Sequence, residues 1–125
     1  MNEIHIKRVY ELVDESDGYR ILVDRLWPRG LSKGKAAIDE WCKDISPSTE
    51  LRKWFGHTEE RFGEFALRYT EELNSNSYAP EFISHCSELL RTANITLLYA
   101  AKNPSCNHAL VLLGWLQSRL AGDRG

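Results

Sequence analysis

Apolar and polar residues alternate from Ile4 to Tyr10, the period of a strand with one buried face. A polar turn, Asp14 to Gly18, separates this segment from Tyr19 to Leu26, whose Ile21-Leu22-Val23 centre suits a strand buried on both sides. That strand stops at Trp27-Pro28-Arg29-Gly30. Ile95 to Ala101 is a second apolar strand, followed by the polar turn Lys102 to Asn107. Residues 36–41 fit either a short strand or a helical turn, and a strand leading to Pro47 is preferred. Ser48 is placed to cap a helix that Gly56 closes, and Thr58 starts the next in the same way. Phe62, Phe65, Ala66, Tyr69 and Leu73 then form one apolar stripe at helical spacing, ending at the loop Asn74 to Ser77. Pro80 suits a first helical position, and Phe82, Ile83, Cys86, Leu89, Leu90 and Ala93 make a second stripe. A last helix, apolar on most sides, is predicted from His108 to Leu120 and closed by Gly122.

Strands alternating with helices, two of the strands apolar throughout, predict a parallel sheet with helices on its faces. The expected class is α/β, a three-layer α/β/α domain with a small, mainly parallel sheet spanning residues 1–125. At 125 residues and 42% hydrophobic the chain can form one core unaided. The net charge of −2 excludes an all-over basic nucleic-acid coat, but it averages unlike regions. Arg20 to Lys35 carries +4 and Glu59 to Leu73 carries −3. Three widely spaced cysteines, no secretory leader and no apolar run near 20 residues point to a cytoplasmic protein with reduced thiols and no membrane contact.

In open parallel sheets, ligands bind beyond the carboxyl ends of the strands. Two charged segments leave the predicted strands there. The first carries Asp24, Arg25, Trp27 and Arg29; the second carries Lys102, Asn107 and His108. Guanidinium forks, an ammonium, an imidazole and a helix start suit a phosphate or carboxylate. In this reading Arg25, Arg29 and Arg52 bind the anion, Trp27 or Trp54 stacks on it, and Asp24, Lys102 and His108 carry protons or orient the substrate. Against it stands a structural reading, in which Asp24 and Arg25 form an ion pair that latches strand to helix layer and the remaining cations are solvated. Leu51 to His57 concentrates basic and aromatic residues that could stack on and neutralise a nucleotide, but such a cluster is more often a helix end with Trp54 or Phe55 packed and Arg52 and Lys53 in water. Cys106 lies near a helix start, but the sixth position after it is Leu112 rather than the Arg of a cysteine phosphatase loop. His5, His57, His85, Cys86, Cys106 and His108 show no metal-ligand spacing, and no dinucleotide or triphosphate loop motif is present, so neither metal nor cofactor is expected.

Tyr19-Arg20-Ile21-Leu22-Val23-Asp24-Arg25-Leu26-Trp27-Pro28-Arg29-Gly30 resembles a segment of the YeaO-like family of small bacterial proteins, a domain of unknown function. Trp41, Pro47 to His57, Leu97 to Lys102 and Asn107-His108-Ala109 extend the resemblance over essentially the whole chain. It implies a soluble, single-domain bacterial α/β protein. The family's motif positions coincide with Asp24, Arg25, Trp27, Arg29, Arg52, Trp54, Lys102, Asn107 and His108, and the resemblance implies no settled reaction. Two functions remain in view. One is an enzyme or sensor for a nucleotide-like or phosphorylated small anion. The other is a non-catalytic module whose basic segment meets nucleic acid or an acidic protein partner.

Overall fold

The computed structural model describes residues 2–123, with the side chains of Lys33, Lys35 and Asp123 outside that description. Four strands, β1 (Ile4–Arg8), β2 (Tyr19–Leu22), β3 (Glu40–Trp41) and β4 (Ile95–Tyr99), form one sheet. Its order is β1-β4-β2-β3 and every pairing is parallel. The apolar strand β4 is central and buried at all five positions, which is why its pattern lacks alternation. The α/β class is therefore the one expected.

The two faces of the sheet are covered unequally. Ile21, Val23, Ile95, Leu97 and Tyr99 face α2 (Thr49–Phe55), α3 (Phe62–Ser75), α4 (Ala79–Leu89) and α5 (His108–Asp123) in one large core. Leu22 and Leu98, of opposite parity, form a small cluster with Val9, packed by the partly buried Trp27, Leu31, Ile38 and Ala100. Among the described residues the α-helix on that side is the four-residue α1 (Lys33–Ala36), whose Ala36 carbonyl accepts Arg20.

Local chemistry sets the element ends. The Ser48 hydroxyl accepts the Leu51 N–H as N-cap of α2, and Gly56 ends that helix at φ 52°. Thr58 makes no cap bond, because a 3-10 turn (Glu59–Arg61) intervenes before α3. Pro80 is the second residue of α4, and α5 runs through Gly122 to Asp123. The preferred strand over 36–41 shrinks to Glu40–Trp41: α1 takes its start, and Ala37 breaks the chain direction at φ 49°. Regular pairing of β2 ends at Leu22, with one more ladder bond from Val23 N–H to the Leu98 carbonyl, and Leu26 is exposed. Gly18 is required where β2 begins, since a Cβ there would lie 2.1 Å from the Asn94 carbonyl oxygen.

Candidate functional site

At the carboxyl edge the chain leaves β2 as Val23-Asp24-Arg25, beside the start of α5. Asp24 Oδ2 accepts the Ala100 N–H at 3.0 Å, tying the end of β2 to the residue after β4. His108 Nε2 lies 3.1 Å from the Val23 carbonyl and 3.1 Å from Asp24 Oδ1, and both side chains are only 15% exposed. The carbonyl can only accept, so Nε2 carries a hydrogen there and donates it in the aligned hydrogen bond. Asp24 Oδ1 is thus buried beside an imidazole yet receives no aligned donor. The His108 ring packs edge-on to Tyr69, centroids 6.3 Å apart. Burial, then the charges of Glu72 and Asp24, push the Tyr69 phenol well above its ordinary pKa, so its O–H stays protonated and donates to the Ile45 carbonyl at 2.7 Å.

Arg25 is not paired with Asp24. Its Nε and Nη2 donate to the carbonyls of Pro47 and Ser46 at 3.2 and 3.4 Å, and among the described residues no carboxylate lies within ion-pair distance of it. The guanidinium borders a cleft of about 360 Å³ with Asp44, Ser48, Tyr69, Glu72 and Leu73. Glu72 accepts both the N–H and the hydroxyl of Ser48, at 2.9 and 2.6 Å. Through Ser48, Glu72 and Ser75 this cleft continues into a wider one of about 630 Å³, walled by Glu50, Trp54, Arg68 and Glu71.

The other predicted site residues are dispersed. Trp27 packs in the thin cover against Trp41, centroids 5.4 Å apart, and donates to the Leu31 carbonyl. Arg29 is exposed, and among the described residues its carbonyl alone is engaged, by the Tyr10 hydroxyl. The side chains of Arg52 and Lys102 make no hydrogen bond or ion pair among the described residues. Trp54 lies between Arg61 and Arg68, 5.4 and 4.4 Å from its ring centroid. Asn107 is buried and accepts the Leu110 N–H, the N-cap bond of α5. Cys106 is partly buried and free. Arg20, counted in the +4 segment, is only 3% exposed: it is bound to Asp17 and to the Ala36 and Ala37 carbonyls, beyond the reach of a docking polyanion.

A second polar cluster escapes the pattern reading. Glu40 Oε1 accepts Tyr19 at 2.8 Å and meets His85 Nε2 at 2.6 Å, while Oε2 accepts the Cys42 thiol at 2.7 Å. Burial alone would raise the Glu40 pKa, but the bonds from Cys42, His85 and Tyr19 hold it below its ordinary value. Burial, then the hydrogen bond to Glu40, pushes the Cys42 thiol up to about 12, so it is no nucleophile at neutral pH. Glu40 spends one oxygen on His85 and the other on Cys42. Among the described residues no group of three His, Cys, Asp or Glu is arranged to hold a metal ion, and no helix is long and apolar enough to cross a membrane.

A family profile described as "Inactive DUF488-N3 subclade" matches residues 3–124. "Uncharacterized protein YeaO" of Escherichia coli is 48% identical over 115 residues, covering 92% of this chain and 97% of that protein. The chain belongs to the YeaO-like DUF488 family. Uncharacterised proteins of Mycobacterium bovis and Mycobacterium tuberculosis are each 41% identical over 116 residues, 93% of this chain and 95% of theirs. No solved structure matches the chain. The YeaO-like relatives share nearly their full length with it, so the fold and both clefts lie within the common domain.

Proposed function

We propose that this chain is a non-catalytic binding domain for a small anionic molecule, held at the carboxyl edge on Arg25. Arg25 itself carries the reading. A partly buried guanidinium that borders a cleft and is met only by neutral carbonyls lacks the counter-charge such a group normally has, and a ligand carboxylate or phosphate supplies it. Asp24 and His108 are positioning residues here: they fix the end of β2 against α5 and pack behind Tyr69, which walls the cleft. Lys102, Arg29 and Arg52 are solvated charges on this reading, and Asn107 builds the start of α5. The word "inactive" in the family description favours binding over turnover.

A thermal-shift panel of carboxylates, sugar phosphates and nucleotides checks the proposal. At least one compound raises the melting temperature of the wild-type protein and leaves Arg25→Gln unmoved. If every compound is inert, the anion reading fails. If single-stranded nucleic acid binds instead, with affinity falling linearly on a log–log salt plot, the exposed basic segment is the site and the module reading replaces this one.

A further inference from the structure

We infer that the Arg25 cleft takes a small zwitterion bearing a carboxylate and an ammonium, the chemistry of a free α-amino acid, with preference for a basic side chain. The inference rests on the anion reading above and narrows it. The same cleft that Arg25 borders is lined by two carboxylates, Asp44 and Glu72. Glu72 is held in place by Ser48, while the exposed Asp44 carboxylate has no partner among the described residues. A triphosphate or other polyanion seated on Arg25 meets both like charges, and such juxtaposition selects against it. A molecule with one negative and one positive head satisfies Arg25 and Asp44 together. A volume of about 360 Å³ suits a ligand of that size, with Tyr69 and Leu73 as its apolar wall.

The neighbouring cleft decides the side chain. Beyond Glu72 the groove presents Glu50, Glu71 and the Trp54 ring. Arg68, the cation there, is already paired with Glu64 and stacked on Trp54. A guanidinium or ammonium entering from the first cleft finds the Glu50 and Glu71 carboxylates, which have no ion-pair partner among the described residues, whereas an acidic side chain finds repulsion.

Calorimetric titration of the full chain with L-arginine, L-lysine, L-alanine and L-glutamate, with acetate, inorganic phosphate and putrescine as single-charge probes, separates the cases. Arginine and lysine bind most tightly and glutamate least. Asp44→Asn, a change at an exposed position, weakens arginine by about tenfold, the loss of one charge-assisted contact. Arg25→Gln abolishes the heat. If acetate or phosphate binds as tightly as arginine and Asp44→Asn has no effect, the zwitterion inference falls while the anion reading stands. If putrescine binds alone and Arg25→Gln is silent, the cleft is a cation site and both fall. Both also fall if no probe binds a protein whose melting curve shows it folded.

Discussion

Two charged clusters lie within a few residues of each other along β2, and they are finished to different degrees. On the thinly covered face, Asp17 accepts Lys7 Nζ at 2.8 Å, the Asp14 N–H at 3.1 Å and Arg20 Nη1. Arg20 places its other donors on the carbonyls that end α1, at 3.0 Å each, and the Asp17 carbonyl accepts the Thr96 hydroxyl. Asp17, Lys7 and Arg20 each have an opposite charge and at least one further hydrogen bond. At the carboxyl edge, Arg25 has carbonyls but no carboxylate, and Asp24 Oδ1 has a neighbour but no aligned donor. On the reading proposed above, the completed charges hold the fold and Arg25, incompletely matched beside a cleft, is left for a ligand.

Breaking the finished cluster has the largest effect. Asp17→Asn leaves Arg20 and Lys7 without their counter-ion and costs about 3 kcal/mol or more, lowering the melting temperature by roughly 10 °C. A denaturant melt checks it, and a change under 1 kcal/mol would erase the contrast. Acid probes the same cluster. Burial pushes the Asp17 carboxyl up, but the bonds from Lys7, Asp14 and Arg20 more than offset this and hold it below its ordinary 3.8. Its contribution is therefore complete above that value and lost as pH falls through the lower folded value. The stability–pH curve declines on that limb, more shallowly in Asp17→Asn. Next in size is Asp24→Ala, which frees the Ala100 N–H and costs about 1–3 kcal/mol. Arg25→Gln costs about 1 kcal/mol or less, since it gives up only two long bonds to carbonyls. An Arg25→Gln protein as unstable as Asp17→Asn would make Arg25 a structural latch. The smallest effect concerns thiols. Cys42 and Cys86, both pushed up to about 12 chiefly by burial, resist alkylation at neutral pH, whereas the partly exposed Cys106 is modified first, as peptide mass spectrometry reads directly.

Hydrophobic periodicity made β1, β2, β4 and the helices α2 to α5 legible, with local caps such as Ser48 and Gly56 marking ends, whereas β3 and α1 were not separated. It also located the carboxyl edge, where Asp24 and His108 meet, while Arg25 turns instead to the segment before α2. What stayed hidden depends on partners far along the chain. Arg20 and Arg25 look alike in a charge count, yet strand parity turns Arg20 onto the thin face towards Asp17, while Arg25 lies beyond the ladder and bonds the segment before α2. Glu40, Tyr19 and His85 converge from β3, β2 and α4, 45 positions separating Glu40 from His85, so no spacing rule reveals them. Trp27 shares the family's motif string with Arg25 but packs on the opposite face of the sheet.

The central contrast is open to one direct observation. The side-chain Nε–Hε resonances of Arg20 and Arg25 can be followed by NMR while arginine in its unlabelled form is added to the labelled protein. The account predicts that the Arg25 resonance moves saturably while that of Arg20 stays fixed. Saturable movement confined to residues outside the Arg25 cleft, or no movement at all, would contradict it.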